Sequence, residues 1–363
     1  MDDQELPPSP RKGRGAVGNP APRFEREATV AVDDGWHRAE DDDPPPLRTT
    51  VTIDTARSIV ARNDSPDIPF EQSINPYRGC EHGCIYCFAR PTHAYLGLSP
   101  GLDFESRLFA KTAAPELLRD ELGKSGYRCR VIALGANTDP YQPIEREYRI
   151  TRRVLEVLQE FNHPVCIVSK SALVTRDIDI LAPMAAKRLA CVAISVTTLD
   201  RELARHLEPR AATPTRRLET LKTLSAAGIP TSVLASPMIP ALNDHELDHI
   251  LEAARDAGAA TAGYILLRLP LELTPLFEEW LEAHAPGKAK HVMSLIRQAR
   301  EGKTYRAEWG KRMTGTGAYA ELLGRRFEAA CRRLGLNQRR EAMRLDTTQF
   351  RRPPQKGDQL ALF

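Results

Sequence analysis

The stretch NPYRGCEHGCIYC, from Asn75 to Cys87, decides the interpretation of this chain. It places Cys80, Cys84 and Cys87 in a glycine-containing loop with the spacing C-x3-C-x2-C, directly after a short strand predicted at 72–75. Three thiolates on one short loop can hold three corners of an iron–sulfur cube, because soft sulfur ligands suit such clusters. The fourth iron is then open to another ligand.

Two other interpretations of the three cysteines are open. A structural zinc site needs four ligands, usually from paired C-x2-C motifs. No second pair is present, so His82 or His93 would have to complete the site. Alternatively, the cysteines could be buried without a cofactor. The dense spacing between glycines favours the 4Fe–4S cluster over both.

Outward from this loop, short apolar runs alternate with amphipathic segments. The predicted strands are 72–75, 130–135, 164–169, 190–196, 230–235 and 262–268, and the predicted helices are 145–161, 177–187, 214–227, 244–257, 289–301 and 317–334. Apolar strands that alternate with helices indicate a parallel sheet covered by helices. Six such units predict an α/β fold, a partial (βα)6 TIM-type barrel, with the chemistry at the carboxyl ends of its strands.

Composition divides the chain into four parts. Residues 1–68 are rich in Pro, Gly, Asp and Arg and are predicted to be a disordered or surface-wrapping extension. The barrel is predicted over 69–270, a basic helical extension over 271–350, and a flexible tail over 351–363.

The whole chain of 363 residues carries a net charge of only +3, but the charge is uneven. Between 288 and 358 there are 18 Lys and Arg against 7 Asp and Glu. This surplus fits either solvated helix faces or a surface for nucleic-acid phosphates. No apolar run is long enough to span a membrane, and the first residues lack the apolar core of a secretory signal, so a cytoplasmic location is predicted.

The motif C-x3-C-x-aromatic-C after the first strand of a partial barrel resembles that of the radical S-adenosylmethionine (SAM) enzymes. The resemblance implies that the amino and carboxylate groups of SAM chelate the fourth iron. It also implies that an electron from the cluster cleaves SAM to a 5′-deoxyadenosyl radical, and that a flavodoxin- or ferredoxin-like protein supplies this electron. Tyr86 occupies the aromatic position, which in the family lies near the adenine.

Three longer segments indicate a branch of the family. INPYRGCEHGCIYCFARPTH at 74–93, LGANTDPYQPIE at 134–145 and IVSKS at 167–171 resemble the bacterial branch of spore photoproduct lyase, whose members are described as DNA-repair-photolyase-like. The resemblance implies a lyase-like radical enzyme, with DNA or another nucleic acid as its substrate.

Several residues of these segments are predicted to contact SAM. Where many family members carry Gly-Gly-Glu for the amino group of SAM, this chain has Thr138 and Asp139, which could bind the amine by charge-assisted hydrogen bonds. Glu145 is the alternative carboxylate, although an acidic residue also suits the first turn of a helix. Ser169 and Lys170 end the third strand, and Lys170 is predicted to pair with the carboxylate of SAM.

Two further residues are weaker candidates for the site, and one feature differs from the lyase branch. Ser195, at the end of the fourth strand, could bond the ribose, and Arg210 could bind the cofactor or a substrate phosphate, or form a surface salt bridge. Spore photoproduct lyases use a cysteine at the carboxyl end of the second strand as hydrogen donor. Here that end reads LGAN at 134–137, so the same final step is not expected.

The last five residues, QLALF, resemble the peptide by which bacterial polymerases and repair proteins bind the DNA sliding clamp. Gln359 would supply directional hydrogen bonds, and Leu360, Leu362 and Phe363 would enter an apolar pocket. The alternative is an apolar end that folds back onto its own domain.

Three functions follow from these features. The first is a radical SAM enzyme acting on nucleic acid. The second is a radical SAM enzyme acting on a small molecule, peptide or protein, with the positive charge incidental. The third is a non-catalytic adaptor at the replication clamp that carries a cluster or zinc.

Overall fold

A computed structural model describes residues 9–25, 46–338 and 344–353 of the chain. The predicted clamp-binding residues Gln359, Leu360, Leu362 and Phe363 lie outside these ranges, so that interpretation stays a prediction. In the described part, no helix combines the length and the apolar character needed to cross a bilayer.

The described residues form two sheets. The strands are β1 (Thr50–Ile53), β2 (Val60–Arg62), β3 (Gln72–Ile74), β4 (Tyr77–Arg78), β5 (Arg107–Ala110), β6 (Ile132–Leu134), β7 (Val165–Ser169), β8 (Ala190–Ser195), β9 (Thr231–Met238) and β10 (Thr261–Leu266). The large sheet has the order β10-β9-β8-β7-β6-β3-β2, and the small one the order β1-β5-β4.

The large sheet confirms the predicted architecture. Its six strands from β3 to β10 are all parallel to their neighbours and follow one another in chain order, while β2 adds an antiparallel edge. An order that runs in one direction is that of a TIM-type barrel, whereas a doubly wound sheet reverses its order. All six predicted strands are present, and the carboxyl ends of these strands meet at one rim.

Helices connect the strands. They are α1 (Leu102–Ser106), α2 (Ala114–Gly123), α3 (Glu145–Tyr148), α4 (Ile150–Glu160), α5 (Ile178–Ala186), α6 (Arg201–Leu207), α7 (Pro214–Ala226), α8 (Leu247–Asp256), α9 (Leu273–His284), α10 (Pro286–Gln298) and α11 (Gly317–Leu334). Short 3-10 helices cover Arg90–Leu96, Ala172–Asp177 and Asp244–Glu246.

Local sequence explains the ends of α7. Thr213 accepts a hydrogen bond from the backbone N–H of Arg216, 3.4 Å away, and Pro214 occupies the first helical position. Gly228, with a φ of 74°, follows the end of the helix in the left-handed conformation that glycine adopts without strain.

The single helix predicted over 145–161 is wrong in one respect, because it is broken into α3 and α4. Arg149, which joins them, has a φ of 49°, in the left-handed region that a side chain disfavours. The buried carboxylate of Glu145 accepts the backbone N–H groups of Thr151 (3.0 Å) and Arg152 (3.3 Å), so it caps the second helix from within the first. This capping offsets the cost of the break.

The edge strand β10 is covered by the C-terminal helical part. The side chain of Asn337, just beyond α11, accepts from the backbone N–H of Ala262 (3.0 Å) and donates to its carbonyl (3.1 Å). An amide that satisfies both groups replaces a neighbouring strand and protects the edge from pairing with another chain.

Candidate active site

The loop of residues 79–87, called the cluster loop below, lies at the rim formed by the carboxyl ends of the parallel strands. Two left-handed glycines shape it, Gly79 (φ 72°) and Gly83 (φ 68°). A Cβ atom on Gly83 would lie 2.5 Å from a carboxylate oxygen of Glu105, and one on Gly79 would lie 2.8 Å from the carbonyl oxygen of Phe104. The two glycines therefore allow the loop to pack directly onto α1.

The three cysteines lie close together in this loop. Cys80 and Cys84 are buried and Cys87 is half-buried. Burial raises the pKa of the Cys80 thiol well above its usual value, and the nearby Asp139, Cys84 and Cys87 add to the rise. Burial, with the nearby Glu208, also raises the pKa of Cys84. The raised pKa values of Cys80 and Cys84 favour the neutral thiol, and a bound metal would supply the positive charge that thiolates require.

The three thiols suit an iron–sulfur cluster better than a single metal ion. In the part of the chain that the structure describes, no three His, Cys, Asp or Glu side chains converge as ligands of one ion. Thiols that each bind a different iron of a cube need no common point, whereas a zinc site does. The donor set and its burial therefore fit a 4Fe–4S cluster.

A buried ion pair fixes the backbone of the cluster loop. Arg90, fully buried, donates to the carbonyls of Gly83 (3.0 Å) and Cys84 (2.8 Å). It also pairs with Glu105 at 2.7 Å, and both side chains have zero exposure. The same carboxylate accepts the backbone N–H groups of Gly15 (2.9 Å) and Ala16 (2.8 Å). The N-terminal extension is thereby attached to the back of the loop.

The ion pair of Arg90 and Glu105 was not predicted from the sequence. Charged residues are almost never fully buried unless they are paired. The pairing joins positions 15 residues apart in the chain, and only the fold shows it. The available signal was the position of Arg90 three residues after the last cysteine of the motif.

The carboxylate of Asp139, predicted to bind the amine of SAM, accepts three hydrogen bonds within the protein and lies beside a histidine. Its oxygens accept from Ser169 Oγ (2.8 Å), from the backbone N–H groups of Lys170 (2.7 Å) and Tyr141 (2.9 Å), and face His82 Nδ1 at 3.4 Å. Burial opposes its charge, but these partners, His82 above all, lower the pKa of Asp139 to about 2. This carboxylate joins the cluster loop to the ends of β6 and β7, and its contact with SAM stays a prediction.

Thr138 and Ser195 are also engaged within the protein. Thr138 donates to the carbonyl of Tyr77 at 2.9 Å, and Ser195 donates to the carbonyl of Ser236 at 3.0 Å. Both side chains are buried, and their contacts with SAM stay predictions. Arg210 pairs with Glu81 at 2.8 Å, as its salt-bridge interpretation predicts, with its side chain 39% exposed.

Lys170 and Tyr86 lie together beside the cysteines. The Nζ atom of Lys170 is 5.7 Å from the centre of the Tyr86 ring, and it lies close enough to Cys84 to oppose the rise of that thiol's pKa. Among the described residues no carboxylate pairs with Lys170. A cation without a fixed partner at this rim is suited to an anionic ligand group.

Behind Tyr86 lies a buried polar network that sequence analysis also missed. The Tyr86 hydroxyl donates to Glu208, which also accepts from Thr197 (2.5 Å) and pairs with the buried Arg217. Arg217 donates in turn to the carbonyl of Ser195 at 3.0 Å. The network anchors the aromatic ring to the end of β8. Thr197, two residues after the end of that strand, was a possible sequence signal for it.

Comparison with known proteins agrees with this geometry. The model of the radical SAM superfamily matches residues 74–254. An uncharacterised protein of Mycobacterium tuberculosis is 36% identical over 233 residues, which cover 64% of this chain and 68% of that protein. The chain belongs to the radical SAM superfamily. Enzymes of this superfamily use a 4Fe–4S cluster and SAM, and Cys80, Cys84 and Cys87 are the residues of this chain that fit the cluster.

More distant similarities concern an archaeal protein and solved structures. An uncharacterised protein of Methanocaldococcus jannaschii is 27% identical over 213 residues, 59% of this chain and 76% of that protein. Spore photoproduct lyase in complex with dinucleoside spore photoproduct shares the fold, with a TM-score of 0.57 and 14% identity over 78% of this chain and 79% of that one. A mutant of that enzyme with bound AdoMet and the same dinucleoside has a TM-score of 0.57 and 13% identity, over 83% and 85% of the two chains.

Proposed function

We propose that this radical SAM protein is a lyase-like enzyme that acts on a nucleic acid. The observation that carries the radical chemistry is the buried cluster loop, with three thiols beside Lys170 and Tyr86 at the rim of six parallel strands. The nucleic-acid substrate is supported by the fold shared with spore photoproduct lyase, whose solved complexes hold a dinucleoside photoproduct.

When bound, the cluster and SAM would supply a 5′-deoxyadenosyl radical. The three cysteines would hold the cluster, and the Lys170 ammonium would attract the carboxylate of SAM. Asp139 orients the strand end that carries Lys170, because it binds that residue's backbone N–H and the hydroxyl of Ser169. A flavodoxin- or ferredoxin-like protein would provide the electron.

The final step would differ from that of spore photoproduct lyase. At the carboxyl end of β6, the end at which those enzymes place a cysteine, this chain reads LGAN at 134–137 and carries no thiol. The hydrogen donor would therefore be another residue or the substrate itself.

The basic C-terminal part gives less support to nucleic-acid binding than its charge count indicates. Several of its arginines pair with acidic residues from other parts of the chain: Arg297 with Glu278, Arg312 with Asp67, Arg326 with Asp248 and Arg333 with Glu252. Arg300 is buried and donates to backbone carbonyls. Much of the surplus is neutralised within the fold.

Anaerobic reconstitution tests the proposal in two stages. The wild-type protein should become brown and, after reduction, release 5′-deoxyadenosine from SAM, whereas C84A should do neither. The reconstituted protein should then bind DNA in a manner that weakens steeply as salt rises. Release of 5′-deoxyadenosine without any retention on DNA would instead favour a small-molecule or protein substrate. Absence of both cluster and product would favour the clamp adaptor, for which loss of clamp binding on deletion of Phe363 is the separate test.

A further inference from the structure

Beside the cluster loop, on the side of His82, lies a cleft of about 480 Å³. Four separate segments contribute to it: the cluster loop, the start of α3 with the turn before it, the 3-10 helix after β7, and the start of α7 with the loop that leads into it. Its size is within the usual range for sites that hold small molecules. His82 lines it from the cluster loop, and Ser171, the residue after Lys170, lines it from the end of β7. The cleft therefore borders the candidate active site.

Four arginines line this cleft, which is called the arginine cleft below. They are Arg146, Arg176, Arg210 and Arg216. Among the described residues that line it there is no aspartate or glutamate. The carboxylates that pair with three of these arginines lie outside the lining, so the surface of the cleft itself presents guanidinium N–H groups to a ligand. Planar guanidinium groups also match the oxygen geometry of a phosphate.

The four guanidinium groups are held to different degrees. Arg176 is fixed from behind by Glu145 and Asp177, both at 2.8 Å and both fully buried. Arg210 is tied to Glu81, and Arg216, with a side chain 63% exposed, pairs with Glu219 at 2.9 Å. Arg146 is exposed and has no ion-pair partner among the described residues. The cleft thus combines pre-positioned charges with an unpaired one, an arrangement suited to capturing an anion.

We propose that the arginine cleft binds phosphate groups of the substrate and so positions a nucleic-acid strand against the cluster loop. This inference rests on the proposed function and names the feature by which the substrate is recognised. The shared chemistry is a phosphate anion, which either a strand or a free nucleotide could present. An acidic electron-transfer protein could also be attracted by arginines, but protein interfaces are broad and this surface is a cleft of nucleotide size.

The test uses the full-length, reconstituted protein and the double variant R146Q/R216Q. The probes are a single-stranded oligonucleotide and a mononucleotide, each titrated over a range of salt concentrations. The matched control is R325Q, which removes an exposed arginine of α11 that has no ion-pair partner in the described residues. The cluster absorption and the melting temperature of each variant check that it is folded, and R146K/R216K tests whether charge alone restores binding.

We expect the double variant to bind the oligonucleotide at least fivefold more weakly at 0.1 M salt, with a salt slope smaller by about 0.7 for each phosphate that the protein no longer neutralises. R325Q should bind as the wild type does. A loss confined to the oligonucleotide identifies a strand as the phosphate source, and an equal loss for the mononucleotide identifies a free nucleotide. Both results support a phosphate site.

Unchanged binding of both probes by the double variant overturns the proposal, and so does a loss seen only with R325Q. A slower reduction by flavodoxin with unchanged binding of both probes also overturns it, because the cleft would then serve the electron donor. The proposed function fails separately, if the wild-type protein releases no 5′-deoxyadenosine from SAM.

Discussion

The buried pair of Arg90 and Glu105 gives a sharp prediction about what holds the cluster loop. Replacing Glu105 with glutamine keeps the shape of the side chain and removes its charge. The guanidinium of Arg90 then stays buried without a counter-charge. Two of the donors that now face the carboxylate, the N–H groups of Gly15 and Ala16, would also lose a charged acceptor.

The size of the effect follows from the burial of the pair. Removing one partner of a fully buried ion pair costs about 3–5 kcal/mol, because an uncompensated charge remains in the interior. The matched control is E160Q. Glu160 forms two 2.6 Å hydrogen bonds to Arg119 with the same chemistry, but its side chain is 40% exposed. Exposed pairs contribute about 0–1 kcal/mol, so E160Q should change stability little.

Urea unfolding of the metal-free protein measures both variants on one scale. E105Q should lower the free energy of unfolding by at least about 2 kcal/mol more than E160Q does. Because Arg90 holds the carbonyls of Gly83 and Cys84, E105Q should also retain less iron after reconstitution. Equal losses of stability in E105Q and E160Q would refute the stabilising role of the buried Arg90–Glu105 pair.

Three further predictions concern other parts of the molecule. Burial lowers the pKa of His163 to about 4, so the free energy of unfolding should fall by up to about 3 kcal/mol as the pH drops from about 6.5 to about 4. The H163Q variant should lack this pH-dependent loss, and an identical pH slope in both proteins would contradict the burial. With the cluster intact, K170M should bind SAM about ten- to a hundredfold more weakly in equilibrium dialysis, because a charge-assisted hydrogen bond contributes about 1.5–3 kcal/mol. The control K222M, which replaces an exposed lysine, should bind SAM as the wild type does. Equal affinities of K170M and the wild type would remove Lys170 from the site. A Cβ atom on Gly15 would lie 1.8 Å from a backbone oxygen of the cluster loop, so G15A should speed limited proteolysis of the N-terminal extension. The control G126A, which has open space around the new methyl group, should not. Equal proteolysis rates in the two variants would show that the N-terminal segment is not tightly docked.

Much of the fold could be predicted because its signals are local. The six apolar strands alternate with amphipathic segments, and in the structure a parallel strand overlaps each predicted range. The break in the helix at Arg149 could not be predicted, because it depends on the capping of α4 by Glu145, which lies before the break. The short strands β1, β4 and β5 pair only with each other and carry no sustained alternation, so they were also missed.

The candidate site was predictable only in part, for a similar reason. The spacing of the three cysteines identifies the cluster loop without help from the fold. Two buried ion pairs of the site follow from no spacing rule in the sequence: Arg90 with Glu105, and Arg217 with Glu208.

The charge distribution along the sequence is a poor guide to a nucleic-acid surface in this chain. Its basic stretch is 288–358, but Arg297, Arg312, Arg326 and Arg333 of that stretch pair with acidic residues that lie before it in the chain. The four arginines of the arginine cleft come from three segments that are separate in the sequence, and only the fold brings them together.

The most direct test of the central claim is anaerobic reconstitution of the wild-type protein with iron and sulfide, followed by reduction in the presence of SAM. Bound iron and sulfide should correspond to one 4Fe–4S cluster per chain, and 5′-deoxyadenosine should accumulate. The variants C80A, C84A and C87A should each lose both signals. A protein that binds zinc in place of iron, or that holds a cluster but releases no 5′-deoxyadenosine, would contradict the account.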